Sequence, residues 1–200
     1  MRRSWPANLI AVLVITATLG VGALGALGSP QANGDAGRTS RGPAPTCTGR
    51  MDLGSLSFGC PPGWYVWQNA VYDHGASPAA EAIISNHAPT TGSAHGGLPD
   101  GWFKIDVYIA QRDAHLTFEQ LAEAPCVPSD ASTVESCSVV SIGGRRWTQR
   151  IEHDGSARYR EIATVVDGVQ MQVVAIVPEG AHARDASREI DAFISSLSIR

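Results

Sequence analysis

The stretch Cys137-Ser-Val-Val-Ser-Ile142-Gly-Gly-Arg-Arg-Trp147-Thr-Gln-Arg150-Ile151-Glu-His-Asp-Gly-Ser-Ala-Arg-Tyr159-Arg-Glu-Ile162-Ala-Thr-Val-Val-Asp-Gly-Val169-Gln-Met-Gln-Val173-Val-Ala-Ile-Val177 decides the fold. Three turn dipeptides, Gly143-Gly144, Asp154-Gly155 and Asp167-Gly168, interrupt runs rich in β-branched residues. Such pairs suit two-residue hairpin turns, whose central residues take positive φ. They predict an antiparallel meander of four strands, 137–142, 145–153, 156–166 and 169–177.

Register follows from the turns. Val140 should face Trp147, Trp147 should face Ile162, and Ile162 should face Val173. One face then collects Val140, Ile142, Trp147, Ile151, Ile162, Val166, Val169, Met171, Val173, Ala175 and Val177. A slip of one residue would scatter this set, so turns and hydrophobic pattern support each other. The other face carries Arg146, Thr148, Arg150, Tyr159, Glu161, Gln170 and Gln172 among smaller apolar residues.

Two helices flank the meander. In Leu116-Thr117-Phe118-Glu119-Gln120-Leu121, Thr117 can cap the Gln120 amide while the Gln120 side chain reaches back. From 183 to 197, Ala186, Ile190, Phe193, Ile194 and Leu197 form an apolar stripe at helical spacing, suited to packing across the apolar sheet face. Further strands are expected at 102–110, where Phe103, Ile105, Val107 and Ile109 alternate with Lys104 and Asp106, and at 65–70 and 82–86. Between them, 87–101 is a long Gly/Pro/Ser/Thr-rich loop of the kind that often carries function.

Upstream, Met1-Arg2-Arg3 precedes an uncharged, mostly apolar run at 7–28. A basic start and an apolar run ending in small residues is the pattern of a secretory signal. The run is also long enough to serve as an uncleaved anchor. Residues 29–46, rich in Gly, Pro, Ser and Ala, read as a linker, which leaves 47–200 as the folded domain. The expected address is extracytoplasmic, with membrane contact only through the N-terminal segment.

Four cysteines, Cys47, Cys60, Cys126 and Cys137, lie in the exported part. An even count in an oxidising compartment reads as two disulfides. Of three available pairings, Cys47–Cys60 and Cys126–Cys137 close the shortest loops. A thiolate metal site is disfavoured because no C-x-x-C spacing occurs.

The order of elements resembles the PsbP-like family, whose fold is shared with a nuclear Ran-binding protein. The resemblance rests on Leu56-Ser57-Phe58-Gly59-Cys60-Pro61-Pro62-Gly63-Trp64, on Leu116-Thr117-Phe118-Glu119-Gln120-Leu121, on the meander, and on the ending Phe193-Ile194-Ser195-Ser196-Leu197-Ser198-Ile199. It covers most of 53–200. It implies an α+β fold, an antiparallel β-sheet with helices on both faces (an α/β/α sandwich), in a secreted bacterial member. The cysteines depart from the pattern of the plant members of that family, and fold alone does not assign function.

No nucleophile elbow, phosphate loop, dinucleotide fingerprint or H-E-x-x-H motif occurs, and nothing implies a cofactor. A net charge of -4, without basic runs interleaved with aromatics, disfavours a nucleic-acid partner. Gly92-Ser93-Ala94-His95-Gly96 reads as polar loop. Trp147 reads as core, and Trp64 and Trp67 as packing residues. The expected role is a non-catalytic binding or accessory module for a protein or small molecule outside the membrane. Its surface would be Arg146, Arg150, Tyr159 and Glu161, which share one sheet face, or the 87–101 loop. On that face an ion-pair ladder, with Tyr159 opposite Arg150, competes with an anion site, since guanidinium forks recognise carboxylate and phosphate. The alternative is a secreted hydrolase or metal-dependent enzyme using His87 and His95.

Overall fold

Where sequence places β-branched residues between tight turns, the chain pairs. The computed structural model describes residues 45–71, 79–89, 98, 101–123, 132–178 and 183–200. The chain divides into two units, 1–40 and 41–200, and every described residue lies in the second. The proposed signal or anchor, most of the linker, Cys126, His95 and most of the 87–101 loop therefore fall outside the described residues.

Ten strands and two helices are present among the described residues. β1 (Arg50–Asp52) and β2 (Leu56–Gly59) form a three-stranded antiparallel sheet with β10 (Ser198–Ile199). The larger sheet has seven strands: β3 (Tyr65–Val71), β4 (Ala80–Ser85), β5 (Lys104–Ile109), β6 (Thr133–Ile142), β7 (Arg145–His153), β8 (Ala157–Val166) and β9 (Val169–Pro178). Its order is β3-β4-β5-β9-β8-β7-β6, all antiparallel. The expected meander therefore makes four of the seven strands of a wider sheet, into which β5 enters beside β9.

The α/β/α sandwich is not what forms; the fold is mostly β. Helix α1 (Phe118–Glu123) is only six residues long and buries none of them, so it cannot act as a layer. Helix α2 (Ala183–Ser195) shares the apolar side with the small sheet. There Leu56 and Phe58 from β2, Phe193, Ile194 and Leu197 from the α2 end, and Trp64 and Phe103 meet Trp147, Ile162, Met171, Val173, Ile105 and Val107. Phe58 and Phe193 ring centroids lie 4.9 Å apart, and Trp64 meets Phe103 edge-on at 5.3 Å. Each large side chain buried in this way stabilises by ~2 kcal/mol. Trp64 also donates its Nε1–H to Glu189 of α2 at 2.7 Å, tying the helix to the strand-entry turn.

Two of the three hairpins keep the register expected of them. Val140 pairs with Trp147 and Ile162 with Val173. Gly143, Gly144, Asp167 and Gly168 all take positive φ, as two-residue turns require. Trp147 does not face Ile162; Gln149 does. The β7–β8 turn is longer because Asp154 Oδ1 accepts from the Ser156 and Ala157 amides and the Ser156 hydroxyl, and the Asp154 amide donates to the Ala157 carbonyl. This side-chain turn moves the register by two, an even number, so every residue keeps its face.

Candidate functional site

The register lays out the polar face in three rows across β4, β5, β9, β8 and β7. One row reads Glu81, Tyr108, Gln172, Ala163, Thr148; the next Ile83, Asp106, Val174, Glu161, Arg150; the third Ser85, Lys104, Ile176, Tyr159, Glu152. Charged side chains thus gather at two places, on β5 and on β7–β8, with Val174 and Ile176 of β9 between them.

On β7–β8 the longer turn sets Glu161, not Tyr159, directly opposite Arg150. Arg150 Nη2 lies 2.6 Å from Glu161 Oε2 and 3.6 Å from Glu152 Oε1. The Gln172 amide donates to Glu161 Oε1 at 2.9 Å, and the Ser132 hydroxyl donates to Glu152 Oε2 at 2.9 Å. Arg150 and Glu161 side chains each remain 23% exposed. The ladder reading of this face is what the geometry displays. An incoming carboxylate or phosphate would have to displace the chain's own carboxylates from Arg150.

Tyr159 stands opposite Glu152 and donates its hydroxyl to Asp154 Oδ2 at 2.7 Å. Burial pushes the phenol well above its ordinary value, and the Asp154 hydrogen bond and charge add to this. Burial alone would raise the Asp154 carboxyl, but donors from Tyr159, Ser156 and the two turn amides hold it well below the usual range. Arg146 turns elsewhere: it stacks over the Phe118 ring at 4.4 Å and reaches Glu119 Oε1 at 3.2 Å, which joins α1 to the sheet. The helix is started by the expected box, with Thr117 N–H donating to Gln120 Oε1 at 2.8 Å and Gln120 N–H to Thr117 Oγ1 at 3.3 Å.

The β5 cluster escaped the sequence reading. Lys104 Nζ sits 2.8 Å from Asp106 Oδ2, with both side chains under a tenth exposed. Tyr108 bonds Asp106, and its phenol is pushed up first by burial and then by the charges of Asp106 and Glu81. The i, i+2 pairing of Lys with Asp, alternating with Ile and Val, was the available signal; it reads equally well as an exposed strand face. Both phenols are held protonated at neutral pH. The arrangement can donate and accept hydrogen bonds from fixed positions.

Of the histidine pair, only His87 is described. Its ring stacks on Trp102 at 4.3 Å and 8°, and its carbonyl accepts the Trp67 Nε1–H at 2.7 Å. Among the described residues no three His, Cys, Asp or Glu side chains are grouped to hold a metal ion. Cys47 and Cys60 form a disulfide with Cα atoms 5.3 Å apart, and Cys137 is disulfide-bonded as well. An open depression of about 290 Å³ beside Cys47–Cys60 is lined by Arg50 and Asp52, among others. The Arg50 guanidinium already donates to Ser57 and to the Ser196 carbonyl.

Comparison with known proteins adds likeness of structure alone. No protein family and no curated protein matches the chain. The solution structure of cyanobacterial PsbP (CyanoP) from Synechocystis sp. PCC 6803 is similar at 12% identity and a TM-score of 0.49, covering 84% of this chain and 100% of that one. A crystal structure from Bacteroides thetaiotaomicron VPI-5482 is similar at 16% identity and a TM-score of 0.44, covering 78% of this chain and 49% of the other. The chain thus spans about half the length of that protein. The disulfide points to an oxidising compartment. No helix among the described residues is long and apolar enough to cross a membrane.

Proposed function

We propose that the protein is a non-catalytic binding or accessory module working outside the membrane, and that its partner meets the polar sheet face at Arg146, Arg150, Tyr159 and Glu161. The observation that carries this reading is the bracing of Arg150 by Glu161 and Glu152, themselves fastened by Gln172 and Ser132. A polar surface fixed in advance loses little freedom on association, which favours recognition. Export in two forms, processed or anchored through 7–28, and membership of a secreted bacterial branch of PsbP-like proteins, belong to this proposal on the motifs at 56–64, 116–121 and 193–199.

Carboxylates set the sign of the surface. Glu152 and Glu161 flank one Arg150, and Asp154 lies under the Tyr159 hydroxyl on the same face, so a partner presenting ammonium or guanidinium groups fits better than an anion. Affinity capture from the extracytoplasmic fraction of the host tests this. Wild-type protein should retain a partner that Glu161→Gln combined with Tyr159→Phe releases. Equal capture by both proteins would remove this face from the account.

A further inference from the structure

The two edges of the seven-stranded sheet are finished differently. At β3, residues 45–47 run alongside the strand: Val66 N–H donates to the Pro45 carbonyl at 2.8 Å, Cys47 N–H to the Trp64 carbonyl at 2.7 Å, and Thr46 bridges Tyr65. A bulge between Val66 and Gln68 and the proline beside it discourage further pairing. At β6, the bulge between Val134 and Ser136 and the single charge, Glu135, both lie at the strand start. Residues 136–142 then run without charge, proline or glycine, and mostly exposed. Among the described residues no strand lies on the outer side of β6, and Val139, 50% exposed, is the exposed large hydrophobic.

We infer that β6 pairs with β6 of a second copy, antiparallel, about a two-fold axis at Val139. This register sets Val139 against its twin, Ser138 against Val140 and Ser136 against Ile142. Opposed residues share parity, so the apolar and polar faces each continue across the junction. Charge selects the direction. The strand starts at Thr133 with Glu135 close behind; Arg158 Nη2 holds that carboxylate at 2.7 Å and leaves its side chain 37% exposed. It ends at the Gly143-Gly144 hairpin, followed by exposed Arg145 and Arg146. Antiparallel pairing brings the acidic start of one copy beside the basic end of the other, whereas parallel pairing would put like beside like. Seven residues of edge contact fall below the size of a standard stable interface, so the dimer is weak and concentration-dependent. A symmetric, self-complementary strand is the isologous contact that two-fold dimers require.

Sedimentation velocity on the protein purified from its exporting host, over a wide concentration series, tests this. Wild type should pass from monomer to dimer as concentration rises. Val139→Lys, on an exposed position, should weaken the dimer at least about tenfold with an unchanged circular dichroism spectrum. Arg145→Glu should weaken it too. A monomer at every concentration, a dimer indifferent to Val139→Lys, or occupation of β6 by another protein's strand would each overturn the inference.

Discussion

Arg150 and Glu161 stand directly opposite one another across β7 and β8, their Nη2 and Oε2 atoms 2.6 Å apart. The pairing exists because Asp154 folds the intervening turn around its own side chain, which moves the register by two. A turn at the sheet end therefore sets the chemistry of the candidate site in its middle.

Removing Arg150 should be costly. Arg150→Ala leaves Glu161 and Glu152 facing each other without the guanidinium between them. A fully buried pair broken on one side costs roughly 3–5 kcal/mol; partial exposure here lowers the expectation to about 2 kcal/mol. Urea unfolding should show it as a fall in midpoint at constant slope. Glu161→Gln, which keeps a hydrogen-bond acceptor, should cost less.

Two glycines with the same φ of 75° separate steric from conformational cost. A Cβ on Gly144 would meet nothing within 4 Å, whereas one on Gly168 would lie 2.2 Å from the Asp113 carbonyl oxygen. Gly144→Ala should destabilise by about 1 kcal/mol through backbone strain alone. Gly168→Ala should cost at least about 2 kcal/mol more, because the Asp113 N–H that donates to the Gly168 carbonyl at 2.8 Å holds the two backbones together. Parallel thermal melts of the two variants measure the difference.

The Cys47–Cys60 bridge spans 13 residues and closes the β1–β2 hairpin just ahead of the turn that carries Trp64 into the core. Cys47→Ser with Cys60→Ser should lower stability by about 3 kcal/mol. A midpoint equal to that of the oxidised wild type would show that the bridge contributes nothing beyond the packing around it.

Stability should depend on acid through Asp154. Its folded carboxyl titrates below the ordinary value of 3.8, so the stabilisation is complete above that value and is lost as pH falls through it toward the lower folded value. Asp154→Asn should flatten the acid limb of a stability–pH profile, and Tyr159→Phe should shift it upward by removing a donor. Burial, Asp154 and Asp106 raise Tyr159 and Tyr108, so in alkali the sign reverses: stability is lost as pH rises above the ordinary phenol value of 10.0. Phenolate absorbance that appears only with unfolding would match this.

The elements with local signals were legible. Gly143-Gly144 and Asp167-Gly168 specify their hairpins, the Thr117/Gln120 box starts α1, and the stripe from Ala186 to Leu197 faces the core. The Asp154-Gly155-Ser156 turn misled because its hydrogen bonds use the Asp154 side chain rather than two residues of positive φ. The docking of β5 between β4 and β9, and of β10 beside β2, joins segments far apart in the chain, and no local pattern encodes either pairing. The sandwich expectation failed for a related reason. The capping box starts α1 but carries no information on its length, six residues, or on its burying none of them. At the site, face membership of Arg146, Arg150, Tyr159 and Glu161 was readable from parity. Their partners were not, since these depend on a register two residues away.

The most direct measurement of the proposed binding role is photo-crosslinking in the host. A photoreactive residue replaces Arg146, whose side chain is 61% exposed, or Arg188 on the exposed side of α2, 84% exposed. The account predicts a discrete adduct with another molecule at position 146 and none at 188. No adduct at 146, or the same adducts at both positions, would contradict it.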